Sequence, residues 1–191
     1  MRPLRLIFLS ALLLAACAGT PLPPGCEHLG RHGAVCLLPP ASLPALDGSR
    51  LVTVNRDGQE QSFMGLLHVD DKDFRLAGLS LFGTSLFTLH YDGRDLSALP
   101  ADQTRYLTQL AVMLELTLAD PAALTPRLQG LDLKTGTQDG NETRDLYEDG
   151  RLVVHIERSL GPLADASLRI EVPAYKLSVA MKPMPASPPP P

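Results

Sequence analysis

Alternation is the clearest signal in this chain. Gln61, Phe63, Gly65, Leu67 and Val69 alternate with Ser62, Met64, Leu66, His68 and Asp70. A strand there turns one plainly apolar face and one only partly polar face. Leu79-Ser80-Leu81-Phe82 and Leu86-Phe87-Thr88-Leu89 continue the pattern. Strand-like runs over Arg50–Arg56, Gln61–Val69, Phe74–Phe82 and Ser85–Tyr91 are divided by Asp57-Gly58, the polar turn Asp70-Asp71-Lys72-Asp73 and Gly83-Thr84. Together they predict an antiparallel meander. The period then changes: Leu107, Leu110, Ala111, Leu114 and Leu118 form a helical stripe within Pro100–Leu118, with Asp102 near its start, where the helix dipole favours an acid. Tyr106, Met113 and Leu116 widen the apolar sector, and Ala122 to Gln129 predicts a short second helix ending at Gly130. Strands return at Thr143–Tyr147 and Leu152–Arg158, around Asp149-Gly150, and at Ser167–Val172 and Tyr175–Lys182, with Pro173 at an edge or bulge. The expected fold is mainly β (α+β): a curved antiparallel sheet of roughly seven to ten strands with one or two covering helices.

Proline placement sets the expected boundaries. Pro21, Pro23, Pro24, Pro39, Pro40 and Pro44 make 17–48 a semi-extended stalk, 49–182 the folded domain, and the proline-rich 183–191 a tail without a core. The chain has 191 residues, 45% hydrophobic and 20% charged, which suits one domain of ordinary size. Its net charge of −4 carries no basic footprint, so nucleic acid is not an expected partner.

The first residues change the picture more than composition does. Arg2 and Arg5 precede a short apolar run, Leu6 to Leu14, which is too short for a lasting membrane span. Leu14-Ala15-Ala16-Cys17 then has the Leu-small-small-Cys form of a bacterial lipoprotein cleavage site. Residues 1–16 are therefore read as a signal peptide, with Cys17 carrying diacylglycerol. Two or three acyl chains exceed what stable anchoring needs, so the expected protein is tethered rather than membrane-spanning. Ala18, where an Asp would favour inner-membrane retention, points to the periplasmic face of the outer membrane. Loss of Arg2 and Arg5 leaves the exported chain two charges more negative than −4.

Cys26 and Cys36 remain. An oxidising periplasm favours a disulfide between them; zinc is the alternative, because Cys26, His28, His32 and Cys36 form a Cys-x-His-x3-His-x3-Cys string. No nucleophile elbow, phosphate loop, dinucleotide fingerprint or metalloprotease motif is present, and the five histidines fall in different elements. His90 near Asp92, or Ser85, would serve a hydrolase only by meeting a partner acid in a cleft. Asp70, Asp71 and Asp73 read as a hairpin turn before a calcium site. The expected protein has no catalytic residues, cofactor or metal, and is a monomer.

The order of features resembles the LolA/LolB type of lipoprotein-binding domain: lipobox, Pro-rich stalk, strand meander, apolar helix, returning strands. The resemblance rests on Phe74-Arg75-Leu76-Ala77-Gly78-Leu79-Ser80-Leu81-Phe82-Gly83, on Ser85 to Gly93 and on the Ile170 to Met181 strand pair. More closely, the chain resembles an uncharacterised LolB-like lipoprotein family, a domain of unknown function often encoded beside aryl-polyene or fatty-acid-like biosynthesis genes. The resemblance implies an incomplete barrel whose apolar concave face, covered by helices, holds the acyl chains of a lipoprotein or lipid-like product. A LolA-like soluble carrier is the implied partner. Candidate cavity residues are Phe63, Leu67, Phe74, Phe87, Leu89, Leu107, Leu110, Leu114, Ile156 and Val179. Leu81 and Phe82 are candidates for a protruding membrane-contact loop, with Leu116 to Leu124 as another; the chain lacks the Trp of the LolB pattern. The rival expectation is an accessory lipoprotein with a solid core that docks onto an envelope or biosynthetic complex.

Overall fold

Short turns of defined chemistry link most of the strands. The computed structural model describes residues 22–23 and 25–184. The strands are β1 (Cys26–His28), β2 (Ala34–Cys36), β3 (Leu46–Arg56), β4 (Gln59–Val69), β5 (Phe74–Leu79), β6 (Ser85–Tyr91), β7 (Leu96–Leu99), β8 (Leu128–Gln129), β9 (Asp132–Gln138), β10 (Asn141–Glu148), β11 (Arg151–Ser159), β12 (Leu168–Val172) and β13 (Leu177–Pro183). Two helices, α1 (Thr104–Leu118) and α2 (Pro121–Leu124), lie between β7 and β8. Asp-Gly pairs make three of the hairpins: φ is 53°, 50° and 49° at Asp57, Asp139 and Asp149, and 83°, 77° and 76° at the glycines that follow. Two successive left-handed residues match the twist of the flanking strands, which is why Asp-Gly recurs there. The β4–β5 and β6–β7 turns use another device. Asp70 Oδ1 accepts from the N–H groups of Lys72 (2.8 Å) and Asp73 (2.7 Å), and Asp92 Oδ1 from those of Arg94 (2.9 Å) and Asp95 (2.7 Å).

Ten strands form one antiparallel sheet in the order β7-β6-β5-β4-β3-β13-β12-β11-β10-β9. It is two five-strand meanders, β3–β7 and β9–β13, joined where Val54 pairs with Val179. The sheet does not close on itself. Gly78 marks its tightest packing: a Cβ there would lie 2.2 Å from the Phe87 ring, which packs edge-on against Phe63 at 5.5 Å. The expected second helix is cut short, because Leu128 and Gln129 leave it to pair with β2.

A small sheet, β1-β2-β8, completes the molecule. Because α1 has the large sheet on one side and this N-terminal layer on the other, every residue from Ala111 to Leu118 is buried. Here the expected stalk needs correction. Residues 25–48 are part of the fold: Leu29, Val35, Leu37, Leu38 and Leu43 join the core, and Cys26 faces Cys36 across the β1–β2 pair in a disulfide. Apolar side chains between the prolines outweigh the prolines' extended preference once a helix face needs covering. The hairpin is tied down by Glu148, whose carboxylate accepts from the N–H groups of Arg31, His32 and Gly33 at 2.6–3.0 Å. Those three donors hold its pKa down to about 2. Opposite the sheet, Glu115 on α1 accepts from Leu38 N–H at 2.7 Å, and burial pushes its carboxyl up to about 8. Arg144 closes the end of α1 by donating to the carbonyls of Leu116 (2.9 Å) and Ala119 (2.6 Å). The expected signal peptide, Cys17 and the tail from 185 onward lie outside the described residues.

Candidate functional site

Seven of the ten candidate cavity residues point from their strands to the helix side of the sheet, as their alternation requires, and Leu107, Leu110 and Leu114 lie on α1 itself, but together they do not enclose a hollow. Phe74, Leu67, Phe87, Leu89, Leu107, Leu114, Ile156 and Val179 are buried in one continuous core, with Phe63 and Leu110 packed against it. The space left between Phe63, Leu67, Leu110, Leu114 and Met181 is about 10 Å³, room for one water at most. The side chains of α1 occupy the volume that an acyl chain would need. The expected cavity is thus corrected to a packed interior: the helix expected to cover the concave face fills it.

Space is found instead on the other face of the first meander. A groove of about 720 Å³ crosses the side of β3–β7 turned away from α1. Strand register explains its composition. One row across the five strands reads Asp47, His68, Arg75, His90, Ser97; the next reads Ser49, Leu66, Ala77, Thr88, Leu99. The first row is a polar bank and the second a mostly small or apolar floor. Leu66 is 39% exposed and Leu99 67%, although a strand residue turned to water has no packing reason to be leucine. Beyond the floor the apolar character continues through Leu51 and Leu86, both exposed, towards the β5–β6 loop. There Ser80 holds a tight turn by accepting from Thr84 N–H at 3.1 Å, and Phe82 stands 97% exposed beside Leu81 at 66%. These loop candidates are therefore placed at the tip of the same meander. The other candidate segment, Leu116 to Leu124, is largely buried.

The polar bank is a linked set of charges. Asp73 accepts from His90 Nε2 at 2.6 Å and also from Arg75. The hydrogen bond from His90, followed by that from Arg75, holds its carboxyl below the usual range. His68 stands between Asp47 (3.5 Å) and Asp70 (3.3 Å). His90 therefore pairs with Asp73 rather than with Asp92, which is spent on its own turn, and Ser85 lies at the opposite end of β6, across from Leu79. Asp70 is occupied by the turn it caps and by His68. With both thiols of the Cys-x-His-x3-His-x3-Cys string in the disulfide, His28 and His32 remain as its possible donors. Among the described residues no group of three or more His, Cys, Asp or Glu side chains is arranged to hold a metal ion.

Sequence reasoning missed the groove. Its signal was present in the outward residues of β4, where Met64 and Leu66 left the second face only partly polar. Leu99 escaped because β7 is only four residues long and ends against Pro100.

Fold and face together define an open, antiparallel β protein wrapped on one buried helix, with an apolar groove on its outer side. Within that class the chain belongs to a family described as a protein of unknown function (DUF3261), whose model matches residues 49–184. No curated protein matches it.

Proposed function

We propose that this is a lipid-anchored protein of the outer membrane's periplasmic face that binds acyl chains of a lipoprotein or lipid-like product, in a LolB-like transfer or localisation role. The observation that carries the reading is the apolar outer side of β3–β7, continuous from the groove to the exposed Phe82 loop. Burial of hydrocarbon contributes about 0.8 kcal/mol per CH2, so such a site needs no reactive motif. The groove's volume lies within the roughly 300–1,000 Å³ typical of small-ligand sites. The lipobox ending at Cys17 supports the anchor, and a projecting Phe82 suits contact with a bilayer surface. A LolA-like soluble carrier is the partner this role requires.

The packed interior favours a second reading, in which the same apolar face docks onto an envelope complex and carries no lipid. Native mass spectrometry of the exported chain, residues 17–191 carrying Cys17→Ser behind a non-lipoprotein secretory signal and purified from the periplasm, separates the two. Lipid binding gives an acylated adduct and flotation with phospholipid vesicles, and Phe82→Asp weakens the flotation. A bare protein mass with no uptake of palmitate or lysolipid, and no flotation, rejects lipid binding and leaves docking.

A further inference from the structure

We propose that the groove across β3–β7 is a site for one single-chain amphiphile with a zwitterionic head, of the lysophospholipid class. The acyl chain lies along the floor from Ser49 to Leu99, and the head sits against Asp47, His68 and Arg75. The inference rests on the acyl-binding reading above and names the class of ligand that its groove takes.

Three observations carry it. First, the floor spans five strands and therefore four inter-strand steps, roughly 19 Å, which suits an extended chain lying across the sheet. Second, Ala77 and Thr88 lie in that row between the larger Leu66 and Leu99, and these two smaller side chains open one trench. A two-chain lipid would leave its second chain in water. Third, the bank carries both signs of charge. Arg75 spends one nitrogen on Asp73 and has no other partner among the described residues, and Asp47 is mostly exposed with only a 3.5 Å approach from His68. A phosphate facing Arg75 and an ammonium facing Asp47 complement these groups. A lone carboxylate does not, because Asp47, Asp70 and Asp73 outnumber Arg75 along this bank.

The test uses the exported chain, residues 17–191 carrying Cys17→Ser behind a non-lipoprotein secretory signal, and three monomeric probes below their micelle concentrations: palmitoyl-lysophosphatidylethanolamine, palmitoyl-lysophosphatidylglycerol and palmitate. Native mass spectrometry and competition titration should show a 1:1 complex with the ethanolamine lipid, bound at least about tenfold more tightly than either anionic probe. Ala77→Trp, which fills the trench from an outward position, should abolish binding with unchanged thermal unfolding; Thr88→Trp is the second variant if the first does not fold. Arg75→Ala should remove the preference between heads. Equal affinity for all three probes overturns the zwitterionic head while acyl binding stands. Binding untouched by both trench variants overturns the groove, again leaving acyl binding in place. No complex with any probe overturns both readings.

Discussion

The outer faces of the two meanders are built from the same strand geometry and finished in opposite ways. On β9–β13 the outward face carries charged residues that satisfy one another. His155 sits between Asp145 (2.6 Å) and Glu157 (3.3 Å), Arg169 donates to Glu171 at 2.6 and 2.9 Å, and Lys134 lies 4.5 Å from the Tyr147 ring centre. On β3–β7 the equivalent positions include Leu51, Leu66, Ala77 and Leu99. Both meanders pack the same kind of inner face on α1, so inner packing does not explain the outer leucines. The charged half shows what this sheet does where water is its only neighbour. The apolar half is therefore the part of the surface that calls for an occupant.

The sharpest way to break this comparison is to substitute neighbours on one strand. Leu67→Ala, at a position 4% exposed, should cost about 2–5 kcal/mol in chemical denaturation, while Leu66→Ala, at 39%, should change stability by no more than about 0.5 kcal/mol. A large loss at Leu66 would make the outer face structural after all, and the contrast between the meanders would lose its functional meaning.

Next in size is pH. Glu115, buried behind the first meander near Tyr91 and Arg127, has a folded pKa of about 8 against an ordinary 4.5. Its folded form holds the proton more tightly than the unfolded chain does, so its stabilising contribution is complete below about pH 4.5 and declines as pH rises to 8. Glu115→Gln should flatten that decline, with a difference on the order of a few kcal/mol by pH 8, read as thermal unfolding across pH 5–8. Parallel curves for the two proteins would show that this carboxyl is not desolvated.

The smallest effect belongs to the charged half. Burial opposes charging of His155, but its hydrogen bonds to Asp145 and Glu157 outweigh this and raise its pKa above 6.5. The pairing is fully present below pH 6.5 and is lost as pH rises through the raised value. His155→Gln should therefore destabilise at pH 5.5 by less than about 1 kcal/mol, with a smaller effect at pH 8.5. It should leave binding of any lipid probe unchanged. An effect on binding would extend the functional face into the second meander.

Much of the fold was legible because its signals are local. Ser85–Tyr91 was placed to the residue, and Asp57-Gly58 and Asp149-Gly150 marked their hairpins by the left-handed conformation that a two-residue turn demands. Asp139-Gly140 carried the same mark and was overlooked, because β9 and the start of β10 offer little apolar alternation to frame it. The candidate site was legible only in part. Leu81 and Phe82 were singled out as candidates for the protruding loop that the LolB resemblance implies, and both are exposed at the tip of the first meander. The cavity list named the right face for packing, but a row of inward apolar residues reads the same whether it encloses space or a helix.

Strand identity, the Asp-Gly turns, the antiparallel class and the helical stripe of α1 were fixed by neighbouring residues acting through backbone conformation and side-chain period, which are properties of short segments. Whether the sheet would be hollow or filled, whether 25–48 would stand as a stalk or cover a helix, and whether Leu66, Ala77, Thr88 and Leu99 would share one trench depended on strands distant in sequence meeting in register. Those outcomes come from volume and long-range pairing, and so they became visible only once the chain was folded.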